Sequence, residues 1–114
     1  MTSADLPGRD LARLRHIAEA CNRIARYTAG GRASLADERT YDAVLRCLTI
    51  IGEALGALSD ETYAQLSSVP PHLPKAQRNL IVHEYWRIAR EVVWATVERH
   101  VPMLRGDVST IFGQ

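Results

Sequence analysis

The stretch Leu11-Ala12-Arg13-Leu14-Arg15-His16-Ile17-Ala18-Glu19-Ala20-Cys21-Asn22-Arg23-Ile24-Ala25-Arg26-Tyr27-Thr28 decides the fold. Leu11, Leu14, Ile17 with Ala18, Cys21, Ile24 with Ala25, and Thr28 recur at spacings of three and four. That is the period of one face of an α-helix, not the alternation of a strand. Arg13, Arg15, Glu19, Arg23 and Arg26 fall largely off the stripe, where water can take their charge. Gly30-Gly31 supplies the stop, because glycine accepts the left-handed conformation that ends helices. Ser34-Leu35-Ala36-Asp37 then reads as a short capped turn.

The same period continues downstream. A second long helix is expected from Thr40 or Tyr41, with Thr40 as N-cap and Asp42 facing the positive end of the helix dipole. Val44 with Leu45, Leu48, Ile51, Leu55 and Leu58 form its stripe. Ser59-Asp60-Glu61 is a fresh cap before a short helix bearing Tyr63 and Leu66. Val69-Pro70-Pro71-His72-Leu73-Pro74 cannot be helix interior, since proline lacks the donor and clashes with the preceding turn. Helical spacing resumes from Lys75 through Leu80, Ile81, Tyr85 and Trp86. A final long helix carries Val92 with Val93, Val97, Val101 and Leu104, with a kink or restart at Pro102. The expectation is an all-α chain, an antiparallel bundle of four main helices with short extra ones, forming a single domain over residues 1–114.

Composition agrees with one globular domain. The chain has 114 residues, 46% hydrophobic and 24% charged, enough to bury roughly two thirds of its unfolded surface in one core. No apolar run reaches the ~20 residues of a membrane span, and the first residues lack the basic and apolar regions of a secretory signal. A cytoplasmic location is therefore expected. The net charge of +1 excludes a strongly basic nucleic-acid coat, so any polyanion must be held by a local patch. All basic residues except Lys75 are arginine, the residue suited to planar phosphate and carboxylate recognition. Cys21 and Cys47 have neither disulfide nor zinc spacing and read as small buried hydrophobes. No metal-ligand spacing, glycine-rich phosphate loop or nucleophile elbow is present, so no metal or cofactor is expected.

The stretch Lys75-Ala76-Gln77-Arg78-Asn79-Leu80-Ile81-Val82-His83-Glu84-Tyr85-Trp86 carries the chemistry. At about 100° per residue, Asn79, His83 and Arg87 share a helix face. Arg78 lies about 140° from His83 around the axis. Either the long arginine wraps toward its own histidine or it meets the histidine of a second copy. Histidine titrates near neutral pH and moves a proton in either direction, while arginine keeps its charge and holds a phosphodiester. Those groups suffice for RNA cleavage without a metal: a base takes the 2′-hydroxyl proton, the charge at phosphorus is stabilised, and the leaving 5′-oxygen is protonated. The products would be a 2′,3′-cyclic phosphate and a 5′-hydroxyl. Spacing alone also allows a histidine packed in a helix beside a surface arginine.

Arg78-Asn79-Leu80-Ile81-Val82-His83-Glu84-Tyr85 resembles the signature of the HepT-like toxins of the HEPN superfamily, an arginine, four to six residues, then His-x-Tyr. Asp42–Arg46 with Ile50–Ala54, the close Tyr27-Thr28-Ala29-Gly30 of the first helix, and Val92-Val93-Trp94 leading to Val101-Pro102-Met103-Leu104 resemble other parts of the family, in order along nearly the whole chain. The resemblance implies a toxin of a two-gene toxin–antitoxin module, a homodimer whose interface cleft cuts cellular RNA with Arg78 and His83 as the catalytic pair. It also implies a minimal nucleotidyltransferase antitoxin of the MNT type that transfers AMP to Tyr85. A bulky anion there would block the cleft and repel phosphates.

Supporting roles stay open. Glu53 either orients Arg78 or His83, joins a structural ion pair, or faces solvent; Asn79 either holds the helix end or contacts phosphate. Arg87 and Arg90, which depart from the family's usual residues after the tyrosine, either contact RNA or are solvated, with Arg87 pairing to Glu91. Trp86 and Trp94 read as packing residues, and His16, His72 and His100 have no catalytic companion in sequence. The competing function is a non-catalytic helical module that docks to a nucleotidyltransferase or accepts its AMP.

Overall fold

The first helix forms as its stripe requires. In the computed structural model, which describes residues 5–78 and 90–113, α1 runs over Gly8–Tyr27 and buries Leu14, Ile17, Ala20, Cys21 and Ile24. Beyond it, Gly31 has φ of 80°, the left-handed value that glycine permits. A 3₁₀ turn over Arg32–Ala36 buries Leu35.

The second long helix, α2, spans Glu38–Ala57. Its N-cap is Asp37 and not Thr40: the Asp37 carboxylate accepts from the Thr40 backbone N–H at 3.0 Å and from the Thr40 hydroxyl at 2.8 Å. Thr40 is therefore inside the first turn, and the helix starts earlier than the apolar spacing implied. The cause is Leu35, whose burial fixes the preceding turn and leaves Asp37 extended with φ of −77° and ψ of 121°. A short helix α3 follows over Asp60–Tyr63, capped by Ser59 as expected. The proline-rich stretch is a loop, with His72 at φ of 58°. One turn, α4, covers Lys75–Arg78.

The C-terminal helix is continuous but not uniform. It comprises α5 over Arg90–Ala95, a π-helical turn over Thr96–His100, and α6 over Val101–Ile111. The Val101 N–H donates to the Thr96 carbonyl, five residues back. Pro102, which cannot donate, follows directly, so the restart expected there takes the form of a widened turn.

Contacts between distant residues fix the directions of the helices. Asp10, near the start of α1, bonds Ser59 and Thr62 beyond the end of α2, so α1 and α2 are antiparallel. Arg90 donates to the Leu35 carbonyl, while Asp107 accepts from Ser67 and Ser68, so the C-terminal helix runs antiparallel to α1. The core between them holds the α1 stripe with Val44, Leu48, Ile51, Leu55 and Leu58 of α2, and Val93, Val97, Val101, Leu104 and Val108. Both cysteines lie in this core, as their sequence context suggested. The described residues are all helix, turn or loop, and among them no helix is long and apolar enough to cross a membrane.

Candidate active site

The end of α2 creates the problem that the site solves. The last carbonyls of a helix have no partner within it and must find donors elsewhere. Arg78 supplies them. Its side chain is 2% exposed, and its Nη1 donates to the carbonyl of Leu58 at 3.0 Å and to that of Leu55 at 3.4 Å. Its Nε donates to the Leu73 carbonyl at 2.9 Å, which ties the proline-rich loop to the same group. Its Nη2 donates to Oδ1 of Asp60 at 2.7 Å.

Tyr63 forms the floor beneath the guanidinium, with Cζ of Arg78 3.8 Å from the ring centroid. The Tyr63 hydroxyl donates to the Pro70 carbonyl at 2.8 Å. Burial pushes the phenol above its ordinary pKa, against the opposing pull of the Arg78 charge. Loop, helix end and aromatic ring therefore meet on one cation. Arg78 has five N–H groups, and four contacts leave Nη2 with one further donor.

The remaining motif residues, Asn79, His83, Tyr85 and Arg87, lie outside the described residues, as does Trp86. Glu53 stands exposed on α2, and the carboxylate on Arg78 is that of Asp60. Arg90 sits elsewhere: its Nη1 donates to the Leu35 carbonyl at 2.8 Å and its Cζ lies 4.5 Å from the Tyr41 ring centroid. Tyr41 and Leu55 are roughly 20 Å apart along α2, so Arg78 and Arg90 occupy opposite ends of that helix. Glu91, the partner of Arg87 in the solvated alternative, lies 3.7 Å from Arg32 across an exposed pair.

Two other features bear on chemistry. A cavity of about 490 Å³ between α2 and the C-terminal helix is lined mainly by apolar residues such as Leu48, Ile51, Leu55, Val101 and Leu104, together with Ser68, Thr96 and His100. Cys21 borders a second cavity, and burial pushes its thiol up to about 12, which leaves it protonated and a poor nucleophile.

The sequence reading missed the role of Asp60, seen only as part of a cap, and the buried carboxylate of Asp10. A signal for Asp10 was present, because it falls in line with Leu14, Ile17 and Cys21 on the buried face of α1.

Comparison with known proteins agrees with the family resemblance. A family model described as ribonuclease HepT-like matches residues 17–111. A protein of Thermococcus cleftensis named as a ribonuclease HepT is 32% identical over 95 residues, which covers 82% of this chain and 86% of that protein. A protein of Caldanaerobacter subterraneus subsp. tengcongensis named as an RNase is 33% identical over 69 residues, 60% of this chain and 62% of its own. One of Methanocaldococcus jannaschii, also named as an RNase, is 34% identical over 68 residues, 60% of this chain and 56% of its own. No solved structure matches the chain. The match across residues 17–111 and the relative that aligns over most of both lengths establish that the chain belongs to the HepT-like ribonuclease family.

Proposed function

We propose that the chain is a metal-independent endoribonuclease, the toxin of a toxin–antitoxin module, acting in the cytoplasm on cellular RNA. The observation that carries this reading is the pairing of the Arg78/His83 motif with family membership. The setting of Arg78 supports it: a guanidinium held in one plane by three carbonyls and an aromatic face is a preorganised donor for a phosphate oxygen.

His83 takes the proton of the 2′-hydroxyl as O2′ attacks phosphorus. Arg78 holds a non-bridging oxygen as charge gathers there. The bond to the 5′-oxygen breaks, that oxygen receives a proton, and a 2′,3′-cyclic phosphate and a 5′-hydroxyl result. One base and one acid are needed, and the motif supplies one histidine per chain. A homodimer with both motifs facing one cleft provides the pair. Asn79 supports this machinery, and Arg87 extends the phosphate track. An MNT-type nucleotidyltransferase antitoxin silences the toxin by placing AMP on Tyr85, which puts an anion where the RNA backbone must pass.

The test uses purified protein whose intact mass shows that it carries no AMP, incubated with total RNA with and without EDTA beside His83→Ala. Cleavage is expected to survive EDTA and to fall at least about 10²-fold in the variant. Undiminished cleavage by His83→Ala overturns the mechanism. Intact RNA with the unmodified wild-type dimer would leave a non-catalytic partner of the nucleotidyltransferase.

A further inference from the structure

Arg78 makes four contacts, and they are not equivalent. Three go to neutral backbone carbonyls of Leu73, Leu55 and Leu58. The fourth goes to an anion, Oδ1 of Asp60, 2.7 Å from Nη2. The cation is 2% exposed, whereas the Asp60 side chain is 83% exposed. A buried charge needs a compensating one, because removing either member of such a pair strands the other out of water. An exposed carboxylate, by contrast, returns to water at little cost. The inner edge of the guanidinium is therefore fixed, and the outer nitrogen is held by a partner that can leave.

A phosphodiester oxygen has the same charge as a carboxylate oxygen and accepts from the same N–H at a similar distance. Exchanging one for the other keeps Arg78 compensated, keeps the carbonyl contacts that set its plane, and leaves Asp60 solvated. We propose that Asp60 is the resident anion of the Arg78 site, holding Nη2 until a phosphodiester oxygen of RNA displaces it. This rests on the ribonuclease reading of Arg78 and adds to it a residue that sets substrate affinity. Asp60 is thus a positioning residue: it keeps the guanidinium aimed while the site is empty and competes with substrate for one nitrogen.

The experiment compares wild type, Asp60→Asn and Glu61→Gln, the last removing one exposed negative charge from the same turn. Melting temperature is followed against inorganic phosphate, with ionic strength held constant by chloride. RNA cleavage in EDTA then gives KM and kcat for each protein. A charged acceptor binds about twice as strongly as a neutral one, so the half-saturating phosphate concentration should fall about fivefold in Asp60→Asn. KM should fall with it at unchanged kcat, and Glu61→Gln should resemble wild type. If Asp60→Asn does not fold, Asp60→Ala takes its place, and Asp60→Glu, which restores an anion, should return the phosphate response toward wild type.

Equal phosphate responses in all three proteins, or a KM that rises in Asp60→Asn, overturn the exchange. Cleavage that persists with no change in phosphate response or KM refutes the exchange and leaves the ribonuclease reading standing. A fivefold shift in phosphate response with no cleavage by any protein does the reverse.

Discussion

Asp10 offers the most direct test of the packing argument. Its carboxylate is fully buried and accepts three hydrogen bonds across the α1–α3 junction: from the Ser59 backbone N–H at 3.1 Å, the Ser59 hydroxyl at 2.5 Å and the Thr62 hydroxyl at 2.5 Å. Bonds to a charged acceptor contribute about 1.5–3 kcal/mol each. Truncation to alanine does not forfeit the full sum, because the Ser59 and Thr62 hydroxyls lie 3.2 Å apart and can pair with each other. The net cost of Asp10→Ala is therefore about 3 kcal/mol, a large share of the stability of an ordinary domain. For a chain of this length that lowers the melting temperature by about 10–15 °C.

The same carboxylate shapes the acid limb of stability. Burial pushes its pKa up, but the hydrogen bonds from Ser59 and Thr62 and the nearby Arg9 charge outweigh burial, and the net shift is downward. A depressed pKa stabilises the fold above the ordinary carboxylate range, near about 3.9, and that contribution is lost as pH falls through the folded value. Urea unfolding followed by circular dichroism from about pH 7 to about pH 3 should show a shallower acid decline in Asp10→Asn than in wild type. A loss under about 1 kcal/mol in Asp10→Ala, or an unchanged acid limb in Asp10→Asn, refutes the reasoning.

Arg78→Lys keeps the charge but not the fork, so it cannot serve Leu73, Leu55 and Leu58 together; chemical denaturation should show a loss of about 2 kcal/mol or more. Asp37→Ala removes the acceptor for two donors of Thr40, and a drop of a few degrees in melting temperature is expected, with faster hydrogen exchange in the first turn of α2. Cys21, with its thiol pushed up to about 12, should resist iodoacetamide in the native protein at about pH 8 and react once urea is added; prompt native labelling identified by mass spectrometry would contradict its burial.

The parts of this molecule that repeat were readable and the parts that join were not. The α1 and α2 stripes announce their own buried faces, because each face is set by residues three and four apart. The caps were harder. Asp37 and Thr40 are both good N-cap residues, and the choice between them falls to Leu35, a tertiary contact. Arg78 was singled out for its place in a motif, yet nothing in its neighbourhood says that it is buried. Its depth is set by carbonyls twenty and twenty-three residues upstream, which exist as acceptors only because α2 ends there. Asp60 is identified by the same junction, and no local pattern connects it to Arg78.

The widened turn at Thr96–His100 has a consequence for how the end of this chain tolerates change. A π turn is an α-helix that has accepted one extra residue. Val93, Val97 and Val101 follow at intervals of four and all stay buried, so the surplus residue is absorbed before Leu104 and Val108 are reached. Removing a single residue between Thr96 and His100 would let the coil relax to its ordinary pitch while every later side chain keeps its bearing. An insertion or deletion inside α1 would instead rotate its later buried residues out of line. The C-terminal helix thus has a length of chain where evolution can remove a residue without disturbing what lies on either side.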